Sequence, residues 1–179
     1  MLFAAVFLAG LIPACNAENS PAKGASMKLQ LTSAAFAEGR PIPRRQAYDD
    51  QDLSPALQWS GVPPAAKSLA LICDDPDAPV GTWVHWVIYN LPPDTAGLSE
   101  GVPKSAELDN GAKQGVNDYR RIGYGGPCPP PGKPHRYFFK LYALDAKPEL
   151  KPGLTKKELL KAMEGHVLAE GQLMGTYQR

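Results

Sequence analysis

Two short segments of the sequence carry the residue types that could do chemistry. The first, residues 74–79, is acidic and rich in proline, and it leads into Trp83 and His85. The second reaches His135 and Tyr137 after a stretch rich in glycine and proline. An imidazole can change its charge near neutral pH, and an imidazolium donates strong hydrogen bonds to phosphate or carboxylate oxygens. If the fold brings the two segments together, they form a small binding pocket with carboxylate, imidazole and aromatic side chains.

The proline turn of the first segment restricts its acidic side chains. Pro76 and Pro79 fix their own φ angles and limit the residues that precede them. Asp77 lies between these prolines, where an aspartate side chain commonly bonds the backbone of a tight turn. Asp75 falls on the same face of the preceding strand as Cys73, and we expect it to project inward beside the histidines.

The sequence contains three histidines, and two of them stand beside loops rich in proline and glycine. His85 lies between two tryptophans in an apolar stretch, and His135 opens another; either one alone could be an ordinary core residue. Their shared setting favours a site, because loops held by a rigid scaffold often carry function. His166 lacks that setting, and we predict a structural or solvated role for it.

No motif predicts a resident metal or cofactor. Cysteines at zinc-ribbon or thioredoxin spacing are missing, and so is the Gly-x-Ser-x-Gly turn of many hydrolases. Lys133 follows a glycine but precedes a proline, so the loop does not match a phosphate-binding P-loop. Two histidines and an aspartate could still hold a metal or act as acid and base. An enzyme of either kind therefore stays open as an alternative.

The composition limits the classes of partner. A chain of 179 residues is long enough for one domain with its own core. Its formal net charge of +1 gives no basic face, so we predict no nucleic-acid partner. The 19 prolines and 17 glycines are spread without a repeat, which indicates many turns between short strands.

The N-terminal residues resemble an export signal. Residues 1–14 are almost entirely apolar and too short to span a bilayer. We predict a signal peptide over 1–17, a linker over 18–26 and an exported product. Cleavage before Cys15 would make that cysteine a lipid attachment site on a bacterial membrane, whereas later cleavage would release the protein into the periplasm. Translation from Met27 would instead leave it in the cytoplasm.

Alternation of apolar and polar residues predicts a mainly β domain over residues 27–179. Strands are predicted over 28–31, 57–59, 68–73, 83–91 and 135–144, and residues 94–134 are expected to be mostly loop. In the strand over 83–91, strict alternation would put Trp83, His85, Val87 and Tyr89 on one face.

Only the C-terminal part of the sequence predicts a helix. Thr155 and Glu158 have the spacing of a capping box, in which each side chain bonds the other residue's backbone N–H. Apolar residues then follow at helical spacing as far as Val167 and Leu168, and Gly165 and Gly171 are expected to break or end this region. Residues 173–178 could form a last strand.

These motifs together resemble the phosphatidylethanolamine-binding protein family, in its bacterial Raf-kinase-inhibitor-like branch. The resemblance covers residues 27–179 and rests on residues 75–79, the Trp-Val-His-Trp strand start, the Gly-Pro pair and the His-Arg-Tyr motif. It implies a β-sandwich of Greek-key type with a small anion pocket. The side chains that would bind the anion are Asp75, Trp83, His85, His135, Tyr137 and Tyr177. The residues that would shape the pocket are Pro76, Asp77, Pro79, Gly126 and Pro127.

The leading hypothesis is a non-enzymatic binding protein for a small anionic group such as a phosphate, a carboxylate or a phospholipid head group. A proton shared by Asp75 and two histidines predicts that phosphate binds more weakly above neutral pH. Such a protein could regulate a partner, and a periplasmic interaction or inhibitor module is a further alternative. The segment before the second motif differs from eukaryotic members, which argues against kinase or protease inhibition.

Three questions stay open at the level of the sequence. A homodimer is possible, but no residue pattern decides it. Cys73 and Cys128 could pair after export or stay free. Membrane contact is expected only through an N-terminal lipid.

Overall fold

The structure, a computed structural model, describes Met1 and residues 27–179. The predicted signal peptide, the linker and Cys15 lie outside these residues. The remainder is mainly β, with a larger and a smaller sheet packed face to face and one short helix on the outer side of the larger sheet. The predicted sandwich is therefore confirmed.

The strands and the helix follow one another along the chain in the order β1 (Met27–Lys28), β2 (Gln30–Ser33), β3 (Leu57–Ser60), β4 (Ser68–Asp75), β5 (Trp83–Leu91), β6 (Gly97–Leu98), β7 (Lys113–Gln114), β8 (His135–Leu144), α1 (Lys156–Met163) and β9 (Val167–Tyr177). A short 3-10 turn over Arg44–Gln46 lies between β2 and β3. The predicted loop over 94–134 thus contains only two short strands. No helix within residues 27–179 is long and apolar enough to cross a membrane.

The larger sheet has the order β1-β9-β8-β4-β5-β7, and the smaller one β2-β3-β6. Only β1 and β9 pair in parallel; the other neighbours are antiparallel. The part β8-β4-β5-β7 has the spatial order 4-1-2-3 of a Greek key. Because of this order, the end of β4 lies beside the starts of both β5 and β8.

Two apolar clusters hold the layers together. The inner core lies between the sheets, where Trp59 of the smaller sheet packs with Trp86 and Phe139 of the larger one. The outer cluster lies between the larger sheet and α1, whose Leu159 and Met163 are buried there. The predicted capping box is present at the start of this helix.

The helix ends earlier than its spacing predicts. Gly165 has a φ of 78°, which few other residues adopt, and the chain leaves the helix there. Val167 and Leu168 belong to β9, so their assignment to the helix is wrong. The register of β9 with β8 runs the whole length of β8 and buries Ala169 and Leu173. These long-range contacts outweigh the local helical spacing.

Strand β5 contains a β-bulge at His85. Cys73 of β4 pairs with Trp86, and the next residue, Asp74, pairs with Val84, which leaves His85 as an extra residue. A bulge bends a strand and changes the direction of its side chains, and bulges are frequent beside functional sites.

Because of the bulge, the first residues of β5 point to the opposite face of the sheet from the one that strict alternation predicts. Val87 and Tyr89 face α1, whereas the His85 ring lies 5.1 Å from the Tyr137 ring on the inner side of the sheet. The predicted common face of Trp83, His85, Val87 and Tyr89 is therefore wrong. One inserted residue exchanges the two faces of a strand, and strict alternation cannot reveal it.

Candidate functional site

A cavity of about 270 Å³ lies where β4 ends and where β5 and β8 begin. We call it the strand-end cavity. Three strands, the acidic turn, a loop tyrosine and the proline-rich loop contribute its lining residues, which are Asp75, Ala78, Pro79, Val80, Trp83, His85, Tyr119, Cys128, Pro129, Pro130, His135 and Tyr137.

The two sequence motifs therefore meet in one place. Of the six residues expected to bind an anion, all but Tyr177 line the strand-end cavity. Tyr177 is the β9 partner of His135 in the ladder and lies beside the site without lining it. Of the residues expected to shape the pocket, Pro79 is in the wall, and Pro76 lies in the turn behind it.

Asp75 already has a partner for each of its oxygens. Its Oδ2 lies 2.8 Å from Nδ1 of His135, and its Oδ1 accepts the backbone N–H of Asp77 at 2.8 Å. Since an ionised carboxylate only accepts hydrogen bonds, Nδ1 of His135 carries the proton of that contact. The other ring nitrogen, Nε2, is then the one that a ligand can use.

His85 is held in one tautomer by the backbone. Its Nδ1 lies 2.6 Å from the carbonyl oxygen of Gly125, and a carbonyl can only accept, so Nδ1–H donates. The ring is 2% exposed, and this burial lowers the pKa of His85 although Gly125 and Asp75 oppose the shift. The ring is thus neutral at neutral pH. The expected imidazolium forms at this position only when something stabilises it.

Two buried donors in the cavity wall lack partners. The hydroxyl of Tyr137 and the indole Nε1–H of Trp83 have no hydrogen-bond partner among the residues that the structure covers. Burial raises the pKa of Tyr137 most, followed by the negative charge of Asp75 and, as the smallest cause, a weak hydrogen bond to that carboxylate. The hydroxyl therefore stays protonated, and the acceptor closest to it, Asp75, already has a better partner for each of its oxygens. Leaving a buried donor unpaired costs about 1–3 kcal/mol. Buried donors without partners are rare in native proteins, and the simplest explanation is that they bind an acceptor oxygen of a ligand.

Tyr119 completes an aromatic wall that the sequence did not reveal. Its ring meets Trp83 edge-on at 5.4 Å and His85 at 5.7 Å, and it stacks on Tyr48 at 4.5 Å. Its hydroxyl donates to the carbonyl of Gly126 at 3.0 Å. Tyr119 lies in a loop outside both motifs, and an aromatic residue in a stretch rich in glycine was the only available signal.

The Gly126–Pro127 pair supports the site from behind. A Cβ at Gly126 would lie 2.1 Å from the carbonyl oxygen of Gln46, so only glycine fits there. The N–H of Gly126 donates to Oδ1 of Asp52 at 2.7 Å, and the carbonyl of Pro127 accepts from the N–H of Tyr48 at 3.0 Å. This packing fixes the loop whose preceding carbonyl holds the buried imidazole.

Asp77 ties the acidic turn to β8. Arg136 donates to it from Nε at 2.8 Å and from Nη2 at 2.7 Å, and its backbone N–H adds a third bond at 3.0 Å. These bonds lower the pKa of Asp77 to about 2. The turn predicted from the prolines is formed, but its local side-chain bond comes from Asp75, and Asp77 instead reaches across to the next motif.

The remaining candidates are a histidine on the surface and two cysteines that form no disulfide with each other. His166 is half-exposed and bonds Asp145 at 2.8 Å on the surface. Cys73 and Cys128 are both free thiols, the first in the inner core and the second in the cavity wall. Within residues 27–179, no three His, Cys, Asp or Glu side chains are grouped so that they could hold a metal ion.

The family model described as phosphatidylethanolamine-binding protein matches residues 32–178. The chain belongs to this family. A family relative named as a UPF0098 protein in Methanothermobacter thermautotrophicus is 55% identical over 151 residues, which cover 84% of this chain and 99% of the relative. Another UPF0098 protein, from Aquifex aeolicus, is 46% identical over 153 residues, or 84% of this chain and 89% of the relative.

Solved structures of the phosphatidylethanolamine-binding protein family share the fold. A homologue from Chlamydia trachomatis is 46% identical and has a TM-score of 0.78, with 86% of this chain and 99% of that one covered. E. coli YbcL, described as a new member of the mammalian family, is 31% identical and has a TM-score of 0.79, with 85% and 99% covered. The resemblance inferred from the motifs is thereby confirmed.

Proposed function

We propose that this family member is a non-enzymatic binding protein that recognises a small anionic group in the strand-end cavity. The observation that carries the proposal is the pair of buried donors, Trp83 Nε1–H and Tyr137 O–H, without partners in the described part of the chain. An oxygen of a phosphate or carboxylate would accept from such donors and remove the cost of leaving them unpaired.

The two imidazoles fit the same ligand. Each has its Nδ1 engaged, by Asp75 for His135 and by Gly125 for His85, which leaves Nε2 for a guest. Two N–H groups partly offset the negative charge of Asp75, and protonation of an imidazole when the anion binds would offset the rest. An anion beside His85 would favour the protonated ring, so binding and proton uptake are coupled.

The size of the cavity favours a head group over a whole lipid. Pockets for drug-sized ligands usually measure about 300–1,000 Å³, and the strand-end cavity holds about 270 Å³. The family name indicates phosphatidylethanolamine, whose phosphate offers the required oxygens. We therefore take the phosphorylated head group, rather than the acyl chains, as the part that is recognised. Control of a partner protein would then depend on whether the cavity is occupied.

Titration calorimetry with inorganic phosphate and with sulfate tests the proposal. Sulfate keeps its charge between about pH 5.5 and 8, so it separates titration of the protein from titration of the ligand. Because the pKa of His85 is lowered in the empty protein and an anion raises it again, affinity should increase as pH falls through this range. Absence of binding to either anion, or an affinity for sulfate that does not change with pH, would contradict the proposal.

A second candidate function is an enzyme that uses the histidine and aspartate as base and orienting group. The 2.8 Å contact between Asp75 and His135 favours it, since a carboxylate that orients an imidazole is common in acid–base catalysis. Turnover of a phosphate ester that is lost in Asp75→Asn and retained in the surface variant His166→Gln would replace the binding proposal. Equal background hydrolysis by both variants and the wild type would reject the enzyme.

A further inference from the structure

Cys128 is a nucleophilic side chain in the cavity wall that anion recognition does not use. Its thiol is free and half-buried, and it lines the strand-end cavity together with His135 and Tyr137. It lies in the Pro-Cys-Pro-Pro-Pro segment over residues 127–131, where the prolines fix the backbone φ angles. Pro127 and Pro129 on either side are buried. The sulfur is therefore held in place at the cavity rather than on a mobile loop.

A cation stands directly beside this sulfur. Nη1 of Arg179 lies 3.0 Å from Sγ of Cys128. The guanidinium donates to the sulfur and helps to fix its position, and the thiolate is the form in which a thiol attacks a disulfide. Arg179 also adds positive charge close to the strand-end cavity, whereas Arg136, next to the wall residues His135 and Tyr137, is paired with Asp77.

The other thiol in the described chain has the opposite setting. Cys73 is 1% exposed in the inner core, and burial, with the charges of Asp74 and Asp75, raises its pKa well above the ordinary value. A buried thiol of this kind is inert. Cys73 therefore serves as an internal reference for the reactivity of Cys128.

An independent feature of the same cavity points to a bound acidic group. The Tyr137 side chain is 1% exposed and lines the cavity, and its hydroxyl has no well-formed hydrogen bond to any residue in the described part of the chain. A molecule that carries both a thiol and a carboxylate, sulfonate or phosphate could satisfy this donor and reach Cys128 at once.

We propose that Cys128 is the attachment point of a small anionic thiol, whose acidic group occupies the strand-end cavity. The Cys128 thiolate attacks one sulfur of a low-molecular-weight disulfide of that thiol. A protein–thiol disulfide forms as the original S–S bond breaks, and the second half of the reagent leaves as a thiolate that takes up a proton from solvent. The selectivity for an acidic thiol rests on the proposed function, because the donors of the anion site provide it.

The attached thiol and a free anion would exclude one another. Both need the space of about 270 Å³ that Cys128 and Tyr137 border. Phosphate should therefore slow attachment, and attachment should abolish phosphate binding. A reducing agent should restore phosphate binding, since thiol–disulfide exchange is reversible.

The test compares three disulfides of similar length, namely acidic dithiodipropionate, neutral hydroxyethyl disulfide and basic cystamine. Each reacts with the full chain, and digestion with mass spectrometry follows every cysteine separately. We expect one group on Cys128, added about tenfold faster from the acidic reagent than from the basic one, and more slowly when phosphate is present. Cys73 should stay unmodified, and Cys128→Ser should lose the fast reaction.

The matched variant Tyr137→Phe separates recognition from simple thiol exposure. It leaves Cys128 in place and removes the unpaired donor, so the ratio of the rate with the acidic reagent to the rate with hydroxyethyl disulfide should shrink. Equal rates for acidic and basic reagents at Cys128 would overturn the inference. If calorimetry still detects phosphate in that case, the proposed function stands alone. If phosphate does not bind but the acidic preference and its dependence on Tyr137 persist, the thiol inference stands and phosphate is rejected as the ligand.

Discussion

Tyr137 and Trp83 keep buried donors at the strand-end cavity, whereas Asp75 has both of its oxygens paired. At the scale of single residues, the wall of the site therefore offers hydrogen-bond donors that have no acceptor, whereas its carboxylate acceptor already has donors. His85 adds a ring whose free Nε2 changes from acceptor to donor when it is protonated. A guest with several negative oxygens matches this arrangement.

Tyr137→Phe should separate binding from stability. The variant removes a hydroxyl that makes no well-formed hydrogen bond within residues 27–179, so the free energy of unfolding should change little. Phosphate affinity should fall about 10- to 150-fold, because a hydrogen bond to a charged group contributes about 1.5–3 kcal/mol. Urea unfolding and calorimetry on the same preparation measure the two effects.

Tyr89→Phe is the matched control for that variant. The Tyr89 hydroxyl faces α1 and donates to the carbonyl of Lys151, so its loss should lower stability by about 1 kcal/mol and leave phosphate affinity unchanged. If Tyr137→Phe behaves like Tyr89→Phe, the Tyr137 hydroxyl has no role in recognition.

The lowered pKa of His85 predicts how stability depends on pH. A histidine titrates near pH 6.5 in the unfolded chain and at a lower pH in the folded one. Between these values the unfolded state binds more protons, so this group's contribution is complete above about pH 6.5 and is lost as the pH falls below it. Urea unfolding in a pH series should show a steeper acid decline for the wild type than for His85→Asn, whose amide can still donate to Gly125. Parallel curves would show that His85 is not held neutral.

At the scale of elements, strand β4 contributes aspartate side chains to both faces of the larger sheet. Adjacent aspartates of β4 alternate, so Asp75 faces the strand-end cavity while Asp74 faces α1. The Asp74 side chain is 1% exposed and accepts from Lys140 at 3.1 Å and from Lys156 at the start of α1. This contact fixes the helix to the outer face, on the other side of the sheet from the site.

Asp74→Asn should therefore lower stability without affecting recognition. The substitution leaves Lys140 and Lys156 without a carboxylate, at a cost of about 2–3 kcal/mol because both lysines are partly exposed. Urea unfolding should detect this loss, and phosphate affinity should be unchanged. Lys157→Met, at an exposed lysine of the same helix, should alter stability by only about 0.5 kcal/mol. Weaker phosphate binding in Asp74→Asn would contradict the separation of the two faces.

The sequence predicted the strands that alternate regularly and missed what depends on pairing. β4, β5 and β8 follow from their apolar patterns, and the capping box at Thr155 marked the start of α1. The bulge at His85 and the early start of β9 come from the register with neighbouring strands, which local periodicity does not contain. The wall residue Tyr119 was missed for the same reason, since only the folded loop brings it to the site.

At the scale of the whole molecule, the sandwich places the site where three strands of one sheet begin or end. Family motifs could identify the fold and six of the lining residues, because those side chains belong to contiguous segments of the sequence. The spacing of residues along the sequence does not show which of these segments lie side by side in the sheet. That arrangement depends on the Greek-key order, which sets β8 beside β4 although 64 to 76 residues separate the paired positions.

The fragment 27–179 should behave as a complete domain. Residues 27–28 pair with β9, and Leu29 is 1% exposed in the inner core. We expect this fragment and the full chain to have the same urea midpoint and phosphate affinity. A fragment over 30–179 loses that pairing and that buried side chain, and it should unfold at a clearly lower urea concentration. Equal midpoints for the two fragments would show that β1 adds nothing to the domain.

A crystal structure of the protein with phosphate tests the central claim most directly. We predict an anion in the strand-end cavity with oxygens at hydrogen-bonding distance, about 2.5–3.2 Å, from the Tyr137 hydroxyl and from Nε2 of at least one of His85 and His135. Phosphate bound only elsewhere on the surface, with the Tyr137 hydroxyl still unpaired at saturating phosphate, would contradict the account.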